Sequence, residues 1–268
     1  MIRRLATRAF LSLIGLALAA PAAHAVTLVT EENPPFNYTE GGKVVGLSTE
    51  IVAELGKRSA IPLQIQSMPW EQAYIAAQRD KETCIYSAAR LENRERLFFW
   101  IGPIATNRWV LIAKSDFAGS VKIVEDARKY RVGVVAKDAK IEFLMSKGVT
   151  DLREVSEDSL NPPRLVLNRD DPNRIDLWAT SAYGARTTAA RAKVKDLKLV
   201  LTLHAVPLYL ACGRNASPQT VQALSQAFER ATRDGTSEPS PTSVIAKHPG
   251  RGAARASEVA RVRASGSR

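Results

Sequence analysis

The sequence predicts an α/β protein whose parallel sheets are divided between two lobes. Short apolar runs typical of buried strands alternate with amphipathic stretches of helical period between residues 26 and 236. The alternation restarts near residue 131 and later adds one more strand and a final helix. Strands alternating with helices favour parallel sheets. The restart and the late addition favour two lobes that are linked by more than one crossing of the chain.

The first half of the chain predicts strands and helices in turn. Within the first predicted helix, Leu47, Ile51 and Leu55 fall on one face, as expected for a helix that packs on a sheet. The predicted strands cover residues 26–30, 63–66, 83–86 and 108–113, and the predicted helices cover residues 46–55 and 70–78.

The second half repeats the pattern. Gly235 is placed to end the last helix, because glycine readily adopts the left-handed conformation found just beyond many helix C-termini. Ligands of parallel sheets bind at the carboxyl ends of the strands, so two facing lobes place the site in the cleft between them. The predicted strands cover residues 131–135, 152–155, 174–179 and 208–212, and the predicted helices cover residues 139–146, 182–192 and 218–234.

The N-terminal segment, residues 1–25, predicts a secretory signal peptide. Three arginines precede an apolar run over residues 9–20, and Ala23-His24-Ala25 fits a small-x-small cleavage site. We therefore expect an exported protein whose mature chain begins at Val26, and the bacterial periplasm is the expected compartment.

The C-terminal segment, residues 237–268, is rich in Ser, Ala, Pro, Gly and Arg and poor in large apolar side chains. Such a composition predicts a mostly disordered tail. Of the formal net charge of +11, the tail carries +4 and the signal peptide +3, which leaves +4 for residues 26–236. The high pI is thus an effect of the two ends, and we expect no nucleic-acid partner, although contact of the tail with anionic lipid stays an alternative.

Two arginines follow the predicted strand over residues 83–86. Arg90 and Arg94 lie one helical turn apart, after a run of small residues that leaves backbone N–H groups free. Arginine presents a rigid bidentate fork that suits a carboxylate. The alternative interpretation is a solvated helix face that carries Arg94 and its charged neighbours.

Several motifs occur in an order that resembles the extracellular solute-binding proteins of the polar-amino-acid type, family 3. They are NPPFNY at 33–38, GLSTEI at 46–51, MPWEQAY at 68–74, the segment 87–103, RIDLW at 174–178 and PLYLA at 207–211. The resemblance implies a bilobal Venus-flytrap fold of the periplasmic-binding-protein type, with two open, mostly parallel sheets joined by two hinge crossings. We expect lobe 1 to comprise residues 26–107 plus 205–236, and lobe 2 to comprise residues 108–204.

The resemblance also implies a function. Proteins of this family bind a small solute in the cleft and deliver it to an inner-membrane ABC permease. We therefore expect a monomer that binds an amino acid or another carboxylate and needs no cofactor. Two alternatives stay open: an enzyme on the same fold, similar to the cyclohexadienyl dehydratases, and a ligand-binding subunit of a membrane sensor.

The resemblance assigns expected ligand contacts in lobe 1. Arg94 matches the arginine that grips the ligand's α-carboxylate, with Ser87 and the backbone of Ala89 beside it. Arg90 is either a second anion contact or a structural residue. Asn33 is a further expected contact, and Phe36 and Trp70 are the expected walls of the site.

Departures from the family pattern concern the ligand's ammonium group. The acid that binds it in the family is replaced by Ser181. Asp138 either caps the helix that follows it or replaces the missing acid. The ligand is accordingly either an α-amino acid or a carboxylate without an amine.

The two cysteines, Cys84 and Cys212, fall on neighbouring strands in the sheet order that the resemblance implies. An oxidising compartment permits a disulfide. We expect buried free thiols instead, because cross-strand disulfides are geometrically demanding. The three histidines have no clustered partner ligands, so the sequence predicts no metal site.

Overall fold

The structure is a computed structural model that describes residues 25–235. The predicted signal peptide up to residue 24 and the predicted tail over 237–268 lie outside these residues. Within them the strands are β1 (Val26–Thr30), β2 (Tyr38–Glu40), β3 (Lys43–Val45), β4 (Leu63–Ser67), β5 (Thr83–Ala89), β6 (Phe98–Lys114), β7 (Val132–Val135), β8 (Leu152–Val155), β9 (Leu177–Ser181) and β10 (Leu197–Gly213). The α-helices are α1 (Leu47–Ser59), α2 (Trp70–Arg79), α3 (Ala139–Ser146), α4 (Asn161–Leu165), α5 (Ala185–Arg191) and α6 (Pro218–Arg233).

The main sheet has the strand order β4-β1-β5-β10-β6-β9-β7-β8. At one end β4, β1 and β5 are parallel, and at the other β9, β7 and β8 are parallel. Between these two parallel groups, β6 and β10 form a long antiparallel pair. The α/β, two-lobed fold class predicted from the sequence is confirmed.

The hinge consists of the two long strands. The sequence predicted short strands at 108–113 and 208–212, whereas β6 and β10 each extend for 17 residues and run through both lobes. Their register pairs Ala205 with Arg108 and Val206 with Asn107. The predicted lobe boundaries lie between residues 107 and 108 and between residues 204 and 205, in the middle of this pair of strands. They stay a prediction.

Each lobe has its own apolar core. The lobe 1 core packs α1 and α6 against the sheet and includes Leu28, Leu55, Tyr86, Leu210 and Leu224. The lobe 2 core includes Leu111, Val132, Val134, Leu144 and Leu177. Burial of a Leu or Val side chain contributes about 1.5–3 kcal/mol, so each cluster stabilises its lobe separately and leaves the cleft between them.

The helix ends follow from local sequence. Ser217 caps α6 by accepting a hydrogen bond from Thr220 N at 3.1 Å, and Pro218 occupies the first turn, where its missing N–H costs nothing. Gly235 follows the helix with φ +73°, as predicted.

Cys84 and Cys212 form a disulfide, so the expectation of free thiols was wrong. The two residues lie directly opposite each other in the antiparallel register of β5 and β10. Both are fully buried in the lobe 1 core. The bond therefore ties the late strand β10 to the central strand of lobe 1.

Candidate functional site

The two lobes are in contact across the cleft. A Cβ atom on Gly184 of lobe 2 would lie 2.2 Å from the carbonyl oxygen of Pro34 in lobe 1, so only glycine permits this approach. The rings of Phe36 and Tyr183 meet edge to face, with centroids 5.8 Å apart. Val135 at the end of β7 packs in one apolar cluster with Trp70. The structure is thus a closed form.

Arg94 lies between the lobes and is 3% exposed. Its Nη2 donates to Lys137 O at 2.9 Å and to Glu142 Oε1 at 3.3 Å, both in lobe 2. Its Cζ lies 5.0 Å from the centroid of the Tyr74 ring. Its Nη1 is buried without a hydrogen-bond partner among residues 25–235. A buried guanidinium N–H without an acceptor is costly, so this atom is suited to an anionic group from outside the chain.

Ser87 and Ala89 lie near the end of β5 and are buried. Ser87 has φ +59° and donates its hydroxyl to Asn37 Oδ1 at 2.5 Å. Asn33 forms the turn that positions Asn37, since Asn33 N donates to Asn37 O at 2.7 Å. These contacts hold the first motif against β5, and the ligand roles of Ser87, Ala89 and Asn33 stay predictions.

Arg90 points away from the buried centre. It forms a bidentate pair with Glu95, and its Cζ lies 5.7 Å from the Tyr209 ring and 5.9 Å from the Trp100 ring. About two fifths of its side chain is exposed. Of the two interpretations left open by the sequence, the contacts support the structural one.

Trp70 begins α2 and is buried at the lobe interface. Its Nε1 donates to Lys137 O at 3.0 Å, the same carbonyl oxygen that accepts from Arg94. The carbonyl oxygen of Lys137 in lobe 2 therefore accepts hydrogen bonds from both the Trp70 indole and the Arg94 guanidinium of lobe 1. The indole also lines one of the two cavities described below.

Asp138 caps α3, as one of the two interpretations predicted. Its Oδ1 accepts from Lys140 N at 2.8 Å, and its Oδ2 accepts from Lys140 Nζ at 2.6 Å. Ser181, at the end of β9, donates to Asn107 Oδ1 at 2.8 Å. Both predicted contacts are buried but already engaged within the chain.

A cluster of three carboxylates and one ammonium crosses the cleft. It contains Glu31 of lobe 1 and Asp138, Lys140 and Asp158 of lobe 2, and Glu32 of lobe 1 adds a further negative charge beside Glu31. Asp158 accepts from Trp178 Nε1 at 2.7 Å and from Thr180 Oγ1 at 2.6 Å. Both oxygens of Asp138 and of Asp158 thus accept hydrogen bonds within the chain.

The pKa values of the cluster reflect its excess of acids. Burial first and the neighbouring Asp138 second raise the pKa of Glu31 to about 8, against the opposing effect of Lys140. Burial also raises the pKa of Asp158, although Lys140 and two hydrogen bonds oppose it. Glu31 is therefore largely protonated at neutral pH until a further cation enters.

A cavity of about 220 Å³ opens beside Glu31. Carboxylates form much of its wall, and Met68, Pro69 and Trp70 form an apolar side. The acidic lining residues are Glu31, Glu32, Glu157 and Asp158. The composition suits a cationic group with an apolar stem.

A second, more open groove of about 690 Å³ lies where α3 meets the hinge. It is lined by Arg90, Glu142, Phe143 and His204, among others. His204 is exposed and stacks on Phe143 with a centroid distance of 5.9 Å. Among residues 25–235, no group of three or more His, Cys, Asp or Glu side chains is arranged to hold a metal ion.

Comparison with known proteins decides the family. The profile of the bacterial extracellular solute-binding proteins, family 3, matches residues 26–239. The chain belongs to this family. No helix within residues 25–235 of this family-3 protein is long and apolar enough to cross a bilayer. A search among curated proteins found no match.

Solved structures share the fold of the family-3 protein at low sequence identity. An ancestral arginine-binding protein bound to glutamine is 19% identical over 80% of this chain and 94% of that chain, with a TM-score of 0.68. A histidine kinase sensor domain with similarity to periplasmic binding proteins is 15% identical over 85% and 97%, with a TM-score of 0.71. The substrate-binding protein of an amino acid ABC transporter is 16% identical over 84% and 98%, with a TM-score of 0.67. At these identities the likeness shows the fold alone.

Sequence reasoning missed Glu31, Lys140 and Asp158. Glu31 directly follows β1, Asp158 follows β8 by three residues, and Lys140 lies in the first turn after β7. Polar residues just beyond predicted parallel strands were therefore the available signal.

Proposed function

We propose that this family-3 protein is a periplasmic, monomeric solute-binding protein that holds a small carboxylate-bearing ligand between its lobes and delivers it to an inner-membrane ABC permease. The observation that carries the proposal is Arg94, buried between the lobes with Nη1 unpartnered among residues 25–235. A ligand carboxylate supplies the missing acceptor. Charge-assisted hydrogen bonds of this kind are about twice as strong as neutral ones.

The second end of the ligand is cationic. Glu31 lines the acidic cavity beside Trp70, and its carboxylate shares its surroundings with three further acids and one ammonium. An ammonium or guanidinium group there neutralises the excess charge, while an aliphatic stem packs on the indole. The ligand class is therefore a zwitterion of amino-acid size.

Ligand binding works by shifting the lobes toward the closed form. The groups that meet the ligand come from both lobes, so a ligand that bridges them stabilises closure. Gly184 and Pro34 mark how close the lobes come when closed. The closed form is the one that we expect a permease to recognise.

A thermal-shift screen of the purified protein tests the proposal. Amino acids, polyamines, organic acids and short peptides form the panel. A ligand at about 100 times its dissociation constant adds about 2.7 kcal/mol, which is about 5–10 °C for a protein of this size. We expect the largest shifts from compounds that carry both a carboxylate and a distal cationic group. A panel in which polyamines bind and no carboxylate does would contradict the assignment of Arg94.

The pH dependence of binding tests the role of Glu31. Because a protonated Glu31 cannot pair with a cation, binding a cationic ligand must release that proton. From a pKa of about 8, we expect affinity for the tightest cationic ligand to be about 50-fold lower at pH 6 than at pH 8. Isothermal titration calorimetry at several pH values in buffers of different ionisation enthalpy measures both the affinity and the released proton.

Matched variants isolate the group responsible. Glu31→Gln should lower the affinity at pH 8 and flatten its pH dependence between pH 6 and 8. Glu157→Gln, which neutralises an exposed carboxylate of the same cavity, should leave the pH profile unchanged. A wild-type profile that is already flat over this range would show that Glu31 does not contact the cation.

An enzyme on the same fold is the second candidate, and one observation favours it. Glu31, with its raised pKa beside a cavity, has the properties of a general acid or base. Assay of prephenate and arogenate turnover separates the two functions. Turnover that disappears in Glu31→Gln would favour the enzyme, whereas a stoichiometric complex without turnover favours the binding protein.

A further inference from the structure

Lys140 has no part in the contacts proposed so far, yet it is the one ammonium of the charged cluster described above. It is 8% exposed, in the first turn of α3. Its Nζ is 2.6 Å from Asp138 Oδ2 and 5.5 Å from the centroid of the Trp109 ring on the hinge strand β6. Burial alone would lower the pKa of Lys140, but Asp138, Asp158 and Glu31 outweigh it and raise that pKa. The buried side chain is therefore a permanent cation.

This cation pairs with Asp138, the carboxylate that one interpretation of the sequence assigned to a ligand's α-ammonium. Both oxygens of Asp138 are bonded to Lys140, one through the backbone N–H and one through Nζ. Ser181, the other candidate contact, is engaged with Asn107. An α-ammonium beside Asp138 would face the Lys140 ammonium, and both oxygens of that carboxylate are already bonded, so repulsion between the two cations would oppose its binding in surroundings that water screens little.

We propose that Lys140 is a tethered cation that takes the place of a ligand's α-ammonium group, so that the protein selects carboxylates with a distal cation and no α-amine. The inference rests on the proposed function, because it assumes that Arg94 holds the carboxylate and that the cavity beside Glu31 holds the distal cation. Its chemical class is the ω-amino and ω-guanidino carboxylates.

Pairs of probes that differ only in the α-amine test the selectivity. 6-Aminohexanoate is lysine without its α-amine, and 5-guanidinopentanoate is arginine without its α-amine. By titration calorimetry we expect the wild-type protein to bind the amine-free member of at least one pair about tenfold or more tightly than its amino acid. Equal affinity within each pair, or preference for the amino acid, overturns the proposal.

Truncation of the tethered cation should reverse the preference. Lys140→Ala removes the ammonium from Asp138 Oδ2 and opens space beside it, so the amino acid of each pair should now bind about tenfold or more tightly than its amine-free analogue. Lys129→Ala removes an exposed lysine of the same lobe and should leave the wild-type ratio unchanged. An unchanged ratio in Lys140→Ala would show that the lysine is only structural.

A charge-neutral double variant covers the case in which Lys140→Ala fails to fold. Asp138→Asn with Lys140→Met removes both charges together, which proteins tolerate better than the loss of one partner, and asparagine still caps α3. In this variant the affinities within each pair should differ by less than about threefold. Retention of the wild-type ratio overturns the proposal.

Chemical rescue tests the proposal independently of ligand binding. If no probe binds the wild-type protein, that result refutes the proposed function, but the rescue experiment still tests the cation site at Lys140. Propylammonium should fill the space left by Lys140→Ala and raise its melting temperature by about 2–4 °C, with no such shift in the wild-type protein or in Lys129→Ala. 1-Propanol serves as the neutral control.

Equal effects of propylammonium and propanol would show that no cation site exists beside Asp138. If Lys140→Ala does not fold, its recovery as folded protein in propylammonium, but not in propanol, supports the cation site equally.

Discussion

Arg94→Ala is expected to lower the affinity for a carboxylate ligand by about 30-fold or more. Arg94 is almost fully buried and offers an unpartnered Nη1, and truncation of one partner of a buried charge pair costs about 2–5 kcal/mol, which is about 30- to 5,000-fold in affinity. The fold should survive, because the guanidinium contacts the opposite lobe and lies outside both lobe cores. Titration calorimetry and the circular dichroism spectrum measure the two effects.

Arg90→Ala is the matched control for Arg94→Ala. Arg90 is a neighbouring arginine whose exposed guanidinium pairs with Glu95, so its loss should change affinity by less than about threefold. Comparable losses in the two variants would show that the effect comes from net charge and not from the buried site.

Arg94 also contacts lobe 2, and this second role needs its own variant. Glu142→Gln removes the ion pair across the cleft but keeps the guanidinium. If Arg94 acts through the ligand, Glu142→Gln should leave the affinity unchanged or raise it. A loss as large as that of Arg94→Ala would mean that the arginine acts by holding the lobes together.

The elements were predictable because each follows from a local pattern. The strands β1 and β8 and the helix α3 were predicted with their observed bounds. The apolar period and the turn residues that determine such elements lie within about ten positions of each other. Arg94 was predicted through the motif that contains it, and the structure places it at the lobe interface.

The hinge and the acidic cluster were not predictable in this way. The hinge strands β6 and β10 continue beyond their apolar centres, because pairing with each other, and not burial, extends them. Glu31, Lys140 and Asp158 come from three separate elements in two lobes. Their proximity depends on closure of the cleft, which leaves no periodic trace in the sequence.

The cysteine pair shows a different limit. The prediction of free thiols relied on the demanding geometry of disulfides between adjacent strands. The structure pairs Cys84 with Cys212 through a register that shifts between Tyr209 and Ala211. An irregularity of one residue in β10 thus decides which side chains face each other, and no local pattern specified it.

Loss of the disulfide is expected to have the largest effect on stability. A variant with Cys84→Ala and Cys212→Ala should unfold about 4–20 °C below the wild-type protein, because the bond joins residues 128 positions apart in the sequence and removal of a disulfide typically costs about 2–5 kcal/mol. Thermal denaturation followed by circular dichroism measures the shift. Wild-type protein reduced while unfolded and then refolded under reducing conditions should melt within about 2 °C of the variant.

The same variant separates stability from ligand binding. The bond lies in the lobe 1 core, between β5 and the part of β10 that returns from lobe 2, so ligand affinity at 25 °C should change by less than about threefold. Equal melting temperatures for the variant and the wild-type protein would show that the disulfide does not stabilise the fold. A loss of affinity without a loss of stability would instead place the bond in the hinge mechanism, because anchoring β10 in lobe 1 would then control how the second lobe closes.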